Sequence, residues 1–289
     1  MNSPLRSALF PKAIKAVAVK ILDGESSLRQ ESGSAHPSQS VRCTLAVLCL
    51  LSVAALLLRL LALWGNPILP RDGIEYLGFC ERWFEEGDAF LDASVRSRPL
   101  LFQYLVVALM RCGLSSEAAG VGLNVVAGSL LAVPFLLAGR ALFQSEIAGL
   151  CAAVLAAVLP PLVEFSISPM RDCLYLFFAI WAWWGVIQAL RTGKPLWATL
   201  VGAAALFALQ CRFEAFELIL FGGIGLGVCL GVLRKSWRSG ACALLLFLSG
   251  AAAAGVFLES LPGYPSVLKA GLERAEYTKN LFHIILFLK

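Results

Sequence analysis

The sequence has few of the groups on which most catalytic and metal sites depend. Its 289 residues include only two histidines, His36 and His283, which excludes an imidazole-based triad or metal cluster. It contains no G-x-x-x-x-G-K-[ST] phosphate loop and no H-E-x-x-H pair. Charged residues are scarce as well, at 15% of the chain. The side chains available for chemistry are therefore carboxylates and arginines.

Cysteines are present without a metal-binding or disulfide pattern. The nine cysteines are scattered, odd in number and free of any C-x-x-C pair, which argues against a zinc site and a disulfide framework. A single disulfide between Cys80 and Cys112 stays open. No basic run with interleaved aromatic residues indicates nucleic acid. The sequence predicts no cofactor and leaves a requirement for a divalent metal undecided.

Apolar residues are abundant. They make up 59% of the chain, with a mean hydropathy of +0.78, whereas roughly half is usual for a soluble domain. Because one spanning helix needs about 20 mainly apolar residues, we predict an all-α, polytopic transmembrane bundle. Seven runs are long enough or nearly so: 43–64, 119–142, 147–163, 173–190, 195–211, 215–233 and 240–258.

The basic residues predict how these spans are oriented. Residues 1–42 carry six basic and three acidic residues, and we expect this largely disordered segment to be cytoplasmic. Residues 99–113 are short for a crossing. Treating them as an interfacial helix places the basic loops 191–194 and 234–238 on the side of the N-terminus. Seven spans then leave residues 65–118 as a large first extracytoplasmic loop with interfacial helices.

This orientation gathers charged residues at the extracytoplasmic face. Ionisable residues at a helix mouth in a membrane protein mark a functional site by default. The pairs are Arg71 with Asp72 after the first span, Arg171 with Asp172 before the fourth, and Arg212 with Glu214 between the fifth and sixth. Tyr76 falls on the helix face of Asp72.

Simpler structural roles also fit some of these residues. Asp72 opens D-G-I-E, a capping-box pattern in which Glu75 reaches back, and Asp172 is placed to cap the fourth span. Gly223, Gly227 and Gly231 repeat every four residues, a spacing that predicts close helix packing.

Residues 43–233 contain a series of short motifs whose order and spacing resemble those of a known family. They are R-D-x-x-x-Y-L from Arg71 to Leu77, Arg98-Pro99 leading into L-L-F-Q-Y-L-V-V-A-L-M, N-V-V-A-G-S-L-L-A, G-R-A-L-F, A-A-V-L-A-A-V-L-P-P-L-V-E-F-S, R-D-C-L-Y-L-F-F and C-R-F-E-A-F. Together they resemble the family 39 membrane glycosyltransferases, which include the protein O-mannosyltransferases and the lipid A aminoarabinose transferases.

The resemblance implies a GT-C fold over residues 43–258. Such an enzyme transfers a sugar, with inversion, from a polyprenyl-phosphate donor to a lipid, glycan or protein acceptor at the extracytoplasmic face. The resemblance implies Asp72 as the catalytic base and Asp172 as the second catalytic carboxylate. Arginines suit the phosphate of the donor. The expected substrate-binding residues are Arg71, Tyr76, Arg98, Arg171, Arg212 and Glu214.

Two other functions stay open. Family members are usually longer, and residues 259–289 form a predicted extracytoplasmic amphipathic tail, so one alternative is a truncated member that binds a lipid-linked sugar or a partner protein without transfer. The other is a lipid transporter or flippase, which would need charges in mid-span; Arg59 is the only strongly ionic residue well inside the first span. In each case we expect a multi-pass protein of the cell membrane with lipid partners.

Overall fold

The computed structural model describes residues 37–65, 69–91 and 98–266, and no strand occurs within these ranges. Contacts divide the chain into two units, residues 1–47 and 48–289, and every contact reported below lies within the second. The predicted disordered segment 1–42 and the predicted tail 259–289 fall mostly outside the described residues. The helices are α1 (Pro37–Gly65), α2 (Arg71–Glu86), α3 (Leu101–Arg111), α4 (Ser116–Phe143), α5 (Glu146–Val158), α6 (Pro160–Ile167), α7 (Asp172–Thr192), α8 (Trp197–Leu209), α9 (Phe213–Leu233) and α10 (Trp237–Glu259).

The predicted all-helical membrane architecture is confirmed in outline. Within the described ranges, five helices are long and apolar enough to cross a membrane, namely α1 over Ala46–Gly65, α4, α7, α9 and α10. α5 and α6 together would make a sixth span, bent by 51° at the break between them. α8 has 13 residues and is about 20 Å long, so the run 195–211 forms a helix shorter than the roughly 30 Å of a bilayer core.

The short helix α3 agrees with the expectation that residues 99–113 do not span. Its 11 residues extend for about 16 Å. However, α3 is not a surface helix, because Leu101, Phe102 and Tyr104 are buried. The phenol of Tyr104 donates to the carbonyl of Pro262 at 3.0 Å. α3 is therefore packed inside the protein, beneath the turn that follows α10.

A buried arginine of α1 holds the break between α5 and α6. Pro160 and Pro161 have no N–H, so the two carbonyls four residues before them lack a helical donor. Arg59, which is fully buried, supplies both: Nη2 donates to the carbonyl of Ala156 at 3.3 Å and Nη1 to that of Ala157 at 3.2 Å. The mid-span charge therefore compensates for the backbone donors that the proline pair removes.

Glycines let the last helices approach closely, as predicted. A Cβ added at Gly223 would lie 2.9 Å from the ring of Phe247, and one at Gly227 would lie 3.2 Å from the carbonyl of Gly240. α8 and α10 are closer still, because a Cβ at Gly202 would overlap the carbonyl oxygen of Phe247. These contacts join α8, α9 and α10 into one packed group.

The turns of α7 to α10 lie at two opposite ends of this group. At one end, Arg212 before α9 contacts Asp172 at the start of α7. At the other, Arg234 after α9 donates from Nη2 to the carbonyl of Thr192, the last residue of α7, at 2.9 Å. Most of the sequence-predicted site residues lie at the first of these ends.

Candidate functional site

A buried asparagine of α4 fixes the turn between α6 and α7. The Nδ2 group of Asn124 donates to the carbonyls of Ser168 at 2.6 Å and Met170 at 2.5 Å. The thiol of Cys173 donates to the carbonyl of Asn124 at 3.4 Å. Because buried amide groups need partners, these two hydrogen bonds from one side chain define the path of the turn. The turn then positions Arg171 and Asp172, the first residue of α7.

Helix α2 brings Asp72 and Tyr76 against that turn. A Cβ at Gly73 would lie 2.9 Å from Cγ of Pro169, so glycine permits the close approach. Asp72 lies in the first helical turn of α2 and Tyr76 one turn later. The ring of Tyr76 packs edge-on against Phe102 of α3, with 6.4 Å between the centroids.

The capping box predicted for Asp72 is wrong. The N-cap position of α2 is Pro70, with extended backbone angles (φ −66°, ψ 151°) and no side-chain capping bond. Proline favours this conformation, so the helix starts two residues earlier than the capping pattern implies and Asp72 lies inside it. Glu75 does not reach back but pairs with exposed Arg71, Nε to Oε1, at 3.4 Å. Asp72 therefore has no capping role.

Asp172 does not cap its helix either, because it is paired with an arginine. The N-cap of α7 is Arg171, and Asp172 accepts a hydrogen bond from Nη1 of Arg212. Arg212 also donates from Nε and Nη2 to the two carboxylate oxygens of Glu214, at 3.1 and 2.7 Å. This bidentate bond to Glu214, helped by nearby Asp172, raises the pKa of Arg212 above its ordinary value despite partial burial. Two carboxylates thus hold Arg212 in place.

A cavity of about 240 Å³ lies where α2, the turn before α7 and the residue before α9 meet. Its lining comprises Asp72, Tyr76, Met170, Arg171, Asp172 and Arg212. The guanidinium of Arg171 lies over the ring of Tyr76, 5.3 Å from its centroid. With the described residues, Asp72 forms no hydrogen bond or ion pair and Arg171 forms no ion pair. The cavity therefore contains one carboxylate, Asp72, and one guanidinium, Arg171, that form no ion pair with any described residue.

The other predicted site residues lie outside this cavity. Glu214 joins the group through Arg212 and is 59% exposed. Arg71 faces solvent on α2, with its side chain 90% exposed. Arg98 is exposed and precedes buried Pro99, and it is not part of the cavity lining. Asn124 and Met170 were not predicted as site residues; the signal for Asn124 was an amide within an apolar helix.

The described residues offer few groups for metal binding or thiol chemistry. The described residues contain no cluster of three or more His, Cys, Asp or Glu side chains that could hold a metal. Cys80 and Cys112 are both free, so the disulfide that the spacing left open is not formed. Burial, with a smaller contribution from Glu81, raises the pKa of Cys80 to about 12. Cys80 is therefore a protonated core residue.

The fold and the cavity together define a helical membrane protein with a polar, charged pocket at one end of its bundle. Comparisons of the chain with protein families, with characterised proteins and with solved structures found no match.

Proposed function

We propose that this chain is a membrane glycosyltransferase that moves a sugar from a polyprenyl-phosphate carrier to an acceptor hydroxyl or amine. One observation carries the proposal: the carboxylate of Asp72, which no described residue pairs, and the guanidinium of Arg171 line the same small cavity. A glycosyl transfer of this kind needs a base for the acceptor and a cation for the departing phosphate. The cavity contains both, at the ends of membrane-length helices.

The proposed step is a single inverting displacement. The acceptor oxygen or nitrogen forms a bond to the anomeric carbon while Asp72 accepts the acceptor's proton. The bond between the anomeric carbon and the phosphate oxygen breaks, and its electron pair leaves with the lipid phosphate. Arg171 pairs with that phosphate through its planar fork of N–H donors. Nothing is oxidised or reduced.

The remaining cavity residues have supporting roles in this proposal. Arg212 is already engaged by Asp172 and Glu214, so it holds the second carboxylate in position rather than binding the donor. Tyr76 supports Arg171 through the face of its ring. Asp172, whose side chain is 22% exposed, contributes negative charge next to the sugar site.

The test is transfer of a labelled sugar from a polyprenyl-phosphate donor by the full chain in proteoliposomes. Asp72→Asn removes the base and keeps the side-chain shape, so we expect the rate to fall by about 10²–10⁴ while donor binding persists. The control is Glu85→Gln, an exposed carboxylate on the same helix outside the cavity. Equal rates for Asp72→Asn and the unaltered chain would remove Asp72 from the reaction.

The same assay separates the two alternatives. Donor binding without transfer by the unaltered chain would indicate the non-catalytic sugar-lipid binder. A flippase would move labelled lipid between leaflets without changing it. Transport would use a charge that is available in mid-span, whereas Arg59 is engaged by the backbone carbonyls of Ala55, Ala156 and Ala157.

A further inference from the structure

At the end of the bundle away from the cavity, two basic loops lie side by side. Arg234 donates from Nη2 to the carbonyl of Thr192, and its guanidinium lies directly against Gly193. Gly193 has a left-handed backbone (φ 62°), so the chain turns here and brings the α7–α8 loop beside the α9–α10 loop. We call the resulting group the basic patch; its members are Arg191, Lys194, Arg234, Lys235 and Arg238.

The positive charge of the basic patch is not balanced by acidic residues of the helices that carry it. Between Cys173 and Leu258 the sequence has only two acidic residues, Glu214 and Glu217, and both lie at the cavity end. At the turn between α4 and α5, Glu146 is already paired with Arg140. The helix dipoles also cancel here, because α7 and α9 end where α8 and α10 begin. The excess positive charge at this end therefore comes from the side chains of the basic patch, which an anionic partner would balance.

Apolar side chains lie beside these cations and face outward. Leu196 in the α7–α8 loop is 70% exposed, and Trp237, the first residue of α10, is 65% exposed. A soluble anion would match the charges alone. A molecule with an anionic head and an apolar tail matches the charges and the neighbouring apolar surface together. The ends of membrane-length helices lie at the level of lipid headgroups, where tryptophan is also favoured.

We propose that the basic patch is a binding site for the headgroup of an anionic phospholipid. The phosphate and the headgroup charge pair with Lys194, Lys235 and Arg238, which are exposed. The lipid tail lies along Trp237 and Leu196. Arg234, fixed on the carbonyl of Thr192, keeps the two loops together. This site is separate from the proposed sugar-transfer cavity, so either proposal can fail without the other.

The test is native mass spectrometry of the purified full chain, titrated with phosphatidylglycerol or with phosphatidylcholine of the same acyl chains. We expect phosphatidylglycerol to bind about tenfold more tightly. The double variant Lys235→Gln with Arg238→Gln should weaken phosphatidylglycerol binding about tenfold and leave phosphatidylcholine unchanged. The matched control, Arg82→Gln with Arg111→Gln, removes the same charge from α2 and α3 and should leave both unchanged.

Three results would overturn the proposal. Equal affinity for the two lipids in the unaltered chain would remove the charge recognition. An equal loss in the control variant would show that only the total charge matters. Displacement of the lipid by an equal concentration of inorganic phosphate would show that the tail adds nothing. The first and third measurements use the unaltered chain, so they decide the matter even where a variant fails to fold.

Discussion

Two arginines line the same cavity in different states of pairing. Arg212 makes bonds to Asp172 and Glu214, which together supply two negative charges. Arg171 rests on the face of Tyr76, a contact that orients a guanidinium without neutralising it. A phosphate entering the cavity would compete with carboxylates at Arg212 but not at Arg171. In the proposed reaction Arg171 is therefore the residue that binds the phosphate, and Arg212 has a structural role.

This difference predicts opposite effects for two parallel substitutions. Arg171→Gln should weaken binding of a polyprenyl phosphate at least tenfold with little change in thermal unfolding, and Arg171→Lys should restore part of the affinity. Arg212→Gln should instead destabilise the fold by about 1–2 kcal/mol, because it leaves Asp172 without a partner at a partly buried position. Lipid titration and thermal unfolding in detergent measure the two effects. The reverse pattern would contradict the assignment.

At the scale of helices, the break between α5 and α6 depends on a residue from elsewhere in the chain. Pro160 and Pro161 stop the helix and turn it by 51°. Uncompensated carbonyls inside a membrane cost several kcal/mol each. Arg59 supplies donors to these carbonyls from α1. The three residues thus form one structural unit, although about 100 positions separate them.

A double-mutant cycle tests this unit. Arg59→Leu should destabilise the chain by roughly 2–4 kcal/mol, since it leaves two buried carbonyls unpaired. Replacing Pro160 and Pro161 by alanine restores two backbone N–H groups, so Arg59→Leu should be better tolerated in that background. We expect a coupling energy of about 1–3 kcal/mol from unfolding measurements. Simple additivity of the effects would show that Arg59 does not serve the proline break.

The contact between α8 and α10 predicts a sharp contrast between two glycines. Gly202→Ala forces a methyl group into the backbone of α10 at Phe247 and should destabilise the protein by about 1–3 kcal/mol. Gly255→Ala places its methyl 3.6 Å from the flexible side chain of Leu206, an ordinary contact, and should be neutral or slightly stabilising. Thermal unfolding of the two variants compares them directly. Equal effects would contradict the close packing of the two helices.

At the scale of the whole molecule, the sequence predicted the features that depend on hydrophobic length and charge position. It placed the spans near α4, α7, α9 and α10, and it brought Asp72, Arg171 and Arg212 to one end. It failed at one local backbone feature and at two places where distant segments meet. The capping interpretation of Asp72 overlooked the extended backbone of Pro70, and the partners of Arg59 and Asn124 depend on contacts that no local pattern contains.

The length of α8 is a further feature that hydrophobicity alone misjudged. The apolar run 195–211 is nearly long enough to span, but helix forms only over Trp197–Leu209. Before the helix lie Gly193, which has a left-handed backbone, and Pro195. After it, the backbone carbonyl of Gln210 accepts a hydrogen bond from the N–H of Leu101. Nevertheless α8 runs from the basic patch to the cavity end. The two ends of the bundle thus remain distinct whatever the length of that one helix.

The orientation of these ends in the membrane can be measured with cysteines. The positive-inside rule predicts the cavity end outside and the basic patch inside. In a chain whose only cysteine is the exposed Cys112, that thiol should react with a membrane-impermeant maleimide on intact cells. In a second chain whose only cysteine is introduced by Lys194→Cys, also at an exposed position, the thiol should react only after permeabilisation. A chain that retains Cys80 alone is the negative control, because Cys80 is fully buried and this burial raises its pKa to about 12. Labelling of Lys194→Cys alone on intact cells would mean that the cavity opens to the cytoplasm, and an acceptor on the outer face would then be excluded.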